Sequence, residues 1–267
     1  MTAETWEALG KELHLDKPLV VQYFLWLSDV LRGDLGYGLL DRQPVAKSLA
    51  EKYPNTIRLG LAAFILATTI GIPLGVVAAV KRGTIWDYMA RGLALLGQAL
   101  PVFWIGIMGI LVFSVYLRWL PSGTMGEGMA IRNYILPAVV LGILPMAGYC
   151  RLVRSSMLEV LDSEYIKFAR SKGVREWVVI WKHAFKNALI APLTFSAIQL
   201  AAFVSGAIVA ETVFSWPGVG RLSVEAVWQD DFPIITGTVL TISATYVLMN
   251  LIADVGYAFI DPRIRYD

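Results

Sequence analysis

The sequence predicts an all-α membrane protein with five transmembrane helices, and three observations carry that reading. First, 57% of its 267 residues are hydrophobic and only 16% charged, against roughly 45–50% and about 25% in an ordinary soluble domain. Second, five runs contain no Asp, Glu, Lys or Arg at all: residues 59–80, 92–117, 133–150, 187–210 and 232–253. Third, the basic residues beside these runs alternate in number from one connection to the next. The composition excludes a single soluble core. The one cysteine, Cys150, excludes a disulfide scaffold, because it has no partner.

At about 1.5 Å per residue each run is long enough to cross a hydrocarbon layer of about 30 Å. Strands are ruled out, since the runs lack alternation and an open sheet cannot satisfy its edges in lipid. The expected spans are about 56–80, 90–117, 133–153, 187–210 and 232–257. Pro73, Pro101, Pro137, Pro145, Pro192 and Pro233 lie in or beside them, so the bundle should be kinked. Gly71, Gly75, Gly106, Gly109, Ala201, Ala202, Ser205 and Gly206 permit close helix contact.

Orientation follows from Lys and Arg. Thirteen lie in residues 81–91, 151–186 and 261–267, and three (Arg118, Arg132, Arg221) in the alternate segments 118–132 and 211–231. The first set should face the cytoplasm. Five spans with a cytoplasmic C-terminal tail (261–267) then put residues 1–55 outside, where no preceding apolar segment would deliver them. A further membrane helix is therefore expected ahead of Met1. An in-frame stop codon just upstream in the gene, with no apolar coding segment before it, would contradict this.

The long cytoplasmic connection, 158–186, is the most informative. Residues 163–173 read as a short helix that Gly173 ends in the left-handed position. Val174, Trp177, Val178, Trp181, Ala184 and Phe185 then mark the apolar face of a second helix, opposite Arg175, Glu176, Lys182, His183 and Lys186. Such an elbow serves either as an interfacial helix or as a rigid handle for a cytoplasmic partner.

Several motifs carry a family resemblance. Ala169-Arg-Ser-Lys-Gly173 followed by His183-Ala-Phe-Lys-Asn187-Ala-Leu-Ile-Ala-Pro192 resembles the "EAA" loop of ABC importer permeases in the dipeptide, oligopeptide and nickel group. Leu15-Asp-Lys-Pro-Leu-Val-Val-Gln-Tyr23, Gly33-Asp-Leu-Gly36, Pro101-Val-Phe-Trp104, Glu211-Thr-Val-Phe-Ser-Trp-Pro-Gly-Val-Gly-Arg221 and Asp261-Pro-Arg263 match the same group. The general loop has Glu-Ala-Ala where this chain has Lys167-Phe168-Ala169. The family's later Ile-x-Leu-Pro is represented by His183-Ala-Phe185-Lys186. The family has six helices, so the expected first one is again missing.

The resemblance implies a type I ABC importer-like permease fold, residues 56–260, in a bacterial or archaeal cytoplasmic membrane. It implies a second homologous permease subunit, two cytoplasmic ABC ATPase subunits and an external solute-binding protein. It places ATPase coupling on Glu164, Lys167, Ala169, Arg170, Lys172 and Gly173. The external stretch with Glu211, Trp216, Pro217, Gly218 and Arg221 reads either as a structural re-entrant turn or as an outer gate or binding-protein contact, with Trp216-Pro217-Gly218 as a type II turn. Gln98, Gln199, Ser205 and Asn250 are the polar span residues offered as path lining. The cargo implied is di- or oligopeptide, with nickel, glutathione or another small solute as alternatives.

Rival classes fare poorly. An ion-coupled secondary transporter would carry an ionisable residue in mid-span, and none of the five runs has one. His14 and His183 form no metal-binding or catalytic pattern, Ser205-Gly206 lacks the preceding glycine of an intramembrane serine protease motif, and no metal site is expected. There is no Gly-x4-Gly-Lys-Ser/Thr phosphate loop, so no cofactor is expected on this chain, and ATP with Mg2+ is expected on the partner ATPases. The basic excess follows topology and calls for no nucleic acid.

Overall fold

The computed structural model describes residue 10 and residues 16–123, 131–205 and 207–260. The expected tail at 261–267, with Asp261 and Arg263, and the first residues of the 1–55 segment, with His14 and Leu15, lie outside the described residues. So do Gly206 and the side chain of Ser205. Among the described residues every extended element is helical, and the only β-pairing is an isolated bridge between Tyr37 and Pro44.

Helix α1 (Leu19–Leu31) is short and leaves Leu19, Phe24 and Leu31 exposed. Helix α2 (Val45–Val80) has 36 residues, about 54 Å at 1.5 Å per residue, so it outruns a membrane and its first third carries the polar residues. A turn with Gly83 at φ +76° leads into α3 (Ile85–Ala99). Helix α4 (Val102–Tyr116) follows after two residues. Helix α5 (Ile131–Leu161) runs back against α2. Then come α6 (Glu164–Ser171), α7 (Glu176–Ala188), α8 (Ile190–Ser205), α9 (Ile208–Val213), α10 (Val219–Trp228) and α11 (Phe232–Ile260).

Helices α2, α5 and α11 are each long and apolar enough to span a membrane, and two bent helix pairs bring the number to five if each pair counts as one span. The stretch expected as one span at 90–117 is instead built as α3 and α4, bent by 103°. The cause is local. Pro101 pushes the preceding Leu100 out of the helical region, to φ −97° and ψ 138°, and both residues are extended where a helix would have continued. Helices α7 and α8 meet at 52°, although Leu189 between them keeps a helical backbone, φ −73° and ψ −17°.

The mast of the bundle is the α2–α5 pair. A Cβ on Gly71 would lie 2.7 Å from the Met146 carbonyl oxygen, and one on Gly75 would lie 2.7 Å from that of Cys150. Gly142 answers from the other helix, facing the Ala63 carbonyl. Glycines four apart thus let two backbones touch, which in lipid is where helix association finds its dispersion energy. Helix α8 joins through Gly60, whose missing side chain makes room for the Phe203 backbone. Helix α3 packs on α2 and α5, while α11 packs on α8 and α10.

One buried ion cluster pins α3 to α5. Asp87, 1% exposed, accepts Arg154 Nε at 2.7 Å and Nη2 at 3.0 Å. It also accepts the Gly83 backbone N–H at 3.1 Å and pairs with Arg91 at 3.1 Å. The bidentate fork is the geometry that makes an Arg–carboxylate contact strong.

Candidate functional sites

The first site is the elbow at the α6 end of the bundle. Ser163 precedes α6 with extended backbone, and Gly173 ends it at φ +74°. The Val174 N–H reaches the Ala169 carbonyl at 3.3 Å and the Gly173 N–H reaches that of Arg170 at 2.9 Å. This is a Schellman closure, and it needs a residue that tolerates positive φ where Gly173 stands.

A single side chain anchors α6. Ile166 is fully buried in a cluster with Val76 and Ala79 of α2, Met157 and Leu161 of α5, and Val179 and Ala184 of α7. Tyr165 adds a second tie: its hydroxyl donates to the His183 carbonyl and accepts from Asn187 Nδ2. Around that anchor Glu164, Lys167, Arg170, Lys172 and Gly173 are exposed and Ala169 is half-buried. Glu164 binds Lys167 at 2.7 Å, and this hydrogen bond holds the lysine ammonium above its ordinary value. Lys172 lies over the Phe168 ring.

Arg170 is engaged across the elbow. Its Nη2 and Nε donate to the two carboxylate oxygens of Glu176 at 2.6 and 3.2 Å. The sequence reading missed this brace, as it missed the tie between Arg82 and Asp162 at 3.2 Å. The apolar face expected for the second helix is also displaced. Trp177 and Trp181 point outward, while Val179, Ala184 and Ala188 are buried. The physical reason is the π-helical course over Val179–Phe185, which puts buried residues five apart and carries the two tryptophans out of the core.

The second site is at the α10 end. Glu211 is fully buried. Its Oε1 accepts the Thr56 hydroxyl at 2.8 Å and its Oε2 the Arg221 backbone N–H at 3.0 Å. Thr56 in turn accepts the Val219 N–H at 2.9 Å. The carboxyl thus caps α10 and ties it to the first third of α2. Burial pushes the Glu211 carboxyl above its ordinary value, while these hydrogen bonds act in the opposite direction.

Trp216 is fully buried beside Glu211. Its Nε1 donates to the Asn55 carbonyl at 3.0 Å, Asn55 Nδ2 returns to the Pro217 carbonyl at 3.1 Å, and Tyr134 stacks edge-on at 4.8 Å. Arg221 is clamped by Glu225 at 2.6 Å and by the Ser215 carbonyl at 2.6 Å. Full burial leaves Glu211 and Trp216 no surface for an external partner.

The expected type II turn is not formed. Gly218 has φ −105° and ψ 179°, and its N–H bonds the Trp216 carbonyl at 2.8 Å, a one-residue reversal around Pro217. Glycine is needed here for space, because a Cβ would overlap the Glu211 carboxyl. Sequence reasoning missed Asn55 and Thr56, although two polar residues behind Pro54 and ahead of a charge-poor run were a visible signal. Asp231 is 1% exposed and caps α11 while accepting the Leu39 N–H at 2.8 Å.

Three of the four expected lining residues have described side chains, that of Ser205 lying outside the described residues. Gln98 sits on α3, Gln199 on α8 and Asn250 on α11, and all three are half-buried. Among the described residues no group of His, Cys, Asp and Glu could hold a metal.

Comparison with known proteins adds four findings. Residues 71–266 match the family described as binding-protein-dependent transport system inner membrane component. A putative peptide transport system permease protein of Brucella abortus strain 2308 is 42% identical over 269 residues, spanning 99% of this chain and 86% of the relative. The dipeptide transport system permease protein DppB of Escherichia coli K12 is 40% identical over 283 residues, spanning 96% and 84%. A chain of the MetNI methionine ABC transporter, solved in inward-facing conformations, superposes with a TM-score of 0.65 at 18% identity and covers 80% of this chain and 96% of that one. At that identity the likeness is one of fold.

Proposed function

Since the chain belongs to the binding-protein-dependent transport system inner membrane components, a family of multi-pass ABC importer permeases, we propose that it conducts di- or oligopeptides as one of two permease subunits. An external binding protein delivers the cargo, and two cytoplasmic ATPases supply the work. The α6 end faces the cytoplasm, in line with the Lys and Arg distribution, and the α10 end faces outward.

One observation carries the mechanism. Ile166 roots α6 in the same buried cluster that holds the inner ends of α2, α5 and α7. Force applied to the exposed surface of α6 is therefore transmitted to three helices together. ATP closing the ATPase dimer displaces α6, with Glu164, Lys167, Ala169, Arg170, Lys172 and Gly173 as its contact surface. The α2–α5 mast moves as a body, and the bends at Leu100 and Leu189 accommodate the motion between inward-open and outward-open states. At the outer end the Glu211–Thr56 knot keeps α10 in step with α2, so Glu211, Trp216, Pro217, Gly218 and Arg221 serve an internal strut of the outer gate. The peptide reading is supported by the functions named for the two relatives. Neutral groups such as Gln199 and Asn250 suit a path that holds no sequence tightly.

The test is uptake of a radiolabelled dipeptide by cells whose own peptide importers are deleted and which produce the complete transporter. Uptake should require this chain and hydrolysable ATP. Uptake that persists without this chain sinks the proposal. A binding partner that retains nickel or glutathione and no peptide would move the substrate while keeping the mechanism.

A further inference from the structure

We propose that the exposed face of α7 lies at the interface of membrane and water and binds the headgroups of anionic phospholipids, with Trp177 and Trp181 among the acyl chains and Lys182 and Lys186 on the phosphates. The inference goes beyond the transport reading and depends on neither its cargo nor its ATPase contact.

Trp177 and Trp181 are 64% and 48% exposed, and Lys182 and Lys186 are exposed beside them. Each pair is four residues apart, the spacing that stacks side chains in one row along a helix. The opposite face, with Val179, Ala184 and Ala188, is buried in one cluster with Val76 and Ala79 of α2 and Met157 of α5. The π-helical course thus turns two tryptophans and two lysines outward together. Glu176, the one carboxylate on α7, is held by Arg170, so neither lysine is neutralised on its own helix.

The chemistry of the two rows selects the occupant. An indole has an apolar body and a single N–H donor, which suits the level where hydrocarbon meets water. A lysine reaching out from that level meets phosphate, and a headgroup of net negative charge answers it. A second element repeats the pattern. Lys81, the residue after α2, lies over the Trp86 ring at 5.3 Å, and Arg91 lies over the Tyr88 ring at 4.8 Å. Both rings are more than half exposed. Val76 and Ala79, just before Lys81, share the cluster that holds Val179 and Ala184, so the two aromatic and basic sets stand at the same end of the bundle. A bilayer surrounds the bundle and meets both.

The test uses the complete transporter, with Cys150→Ala and cysteine-free partner subunits, in nanodiscs of phosphatidylglycerol and phosphatidylcholine in equal parts. Trp181→Cys carries a bimane fluorophore. In one sample the phosphatidylglycerol, and in the other the phosphatidylcholine, bears a nitroxide near the headgroup end of an acyl chain. Both should quench the fluorophore, phosphatidylglycerol more strongly. Lys182→Gln should lower the binding constant of phosphatidylglycerol relative to phosphatidylcholine about fivefold, and Lys186→Gln about fivefold again, while Lys182→Arg should keep it. A fluorophore reached by aqueous iodide and by neither lipid overturns the site. A fluorophore shielded from lipid and iodide alike, and uncovered when the ATPases are removed, gives the face to the ATPases and overturns it too. Equal quenching by the two lipids, or a preference that ignores both lysines, refutes the headgroup contact. Dipeptide uptake enters none of these readouts, so a different cargo leaves the site standing.

Discussion

Replacing Gly173 tests the elbow at the point where its backbone is least replaceable. The residue holds φ +74°, a conformation that costs an ordinary L-residue about 1–2 kcal/mol. No atom lies within 4 Å of the position its Cβ would occupy, so a substitution meets open space and the cost is purely conformational. That cost shifts the balance between the closed elbow and an unwound one by a factor of about 5 to 30. Unwinding removes the Gly173 and Val174 N–H bonds that close α6, together with the Arg170–Glu176 brace across it. Asparagine tolerates left-handed backbone and should behave almost as glycine, alanine should be intermediate, and valine, which is β-branched, should be worst. The assay is peptide taken up per ATP hydrolysed in proteoliposomes holding the complete transporter, with the amount of inserted protein measured alongside. Gly173→Val should lower that ratio about five- to thirtyfold at normal insertion. Equal coupling in the Gly and Val proteins, or an Asn variant as poor as Val, would refute the reasoning.

Three further outcomes are expected. Ile166→Ala should cost about 2–5 kcal/mol locally and loosen α6 from the bundle, read as faster amide hydrogen exchange over residues 164–171; unchanged exchange would deny the anchor. Asp87→Ala leaves the partly buried Arg154 without its partner and should destabilise the subunit by about 3–5 kcal/mol, seen as a lower Tm in detergent, whereas Asp87→Leu with Arg154→Met should recover much of it; a Tm unmoved by Asp87→Ala rules out the clamp. Gly218→Ala forces a methyl against the buried Glu211 carboxyl and should cost about 1–3 kcal/mol while Gly83→Asn, at an open turn with nothing within 4 Å, stays near parental; the reverse order in thermal stability would contradict the packing described.

What the sequence disclosed and what it hid divide along a physical line. Charge-free runs announce spans because lipid excludes charge, and Gly173 announces a helix end because only backbone chemistry is at stake. Both are local. The bend at Leu100 was within reach as well, since Pro101 constrains its neighbour whatever surrounds it. The displaced face of α7 was not. A π turn over Val179–Phe185 breaks the 3.6-residue period on which the reading of Trp177 and Trp181 depended, and its cause lies in packing against α2 and α5. Glu211 illustrates the other limit. Its position after a span suggested a surface role, but the hydroxyl that receives it belongs to Thr56, 155 residues earlier. Arg154 was counted among the basic residues that fix topology, yet the carboxylate of Asp87 neutralises it inside the bundle. Pairings between distant residues leave no periodicity to read.

The Asp87–Arg154 contact has a consequence for how the chain is made. The two residues are 67 positions apart and leave the ribosome several seconds apart at about 5–20 residues per second. During that interval Asp87 already stands at the start of an apolar helix with Arg91 beside it but the bidentate fork of Arg154 not yet synthesised. A carboxylate without its full set of partners is costly in hydrocarbon, which favours holding α3 at the membrane surface until α5 arrives. The clamp thereby favours an order of assembly in which α3 takes its final depth as α5 enters.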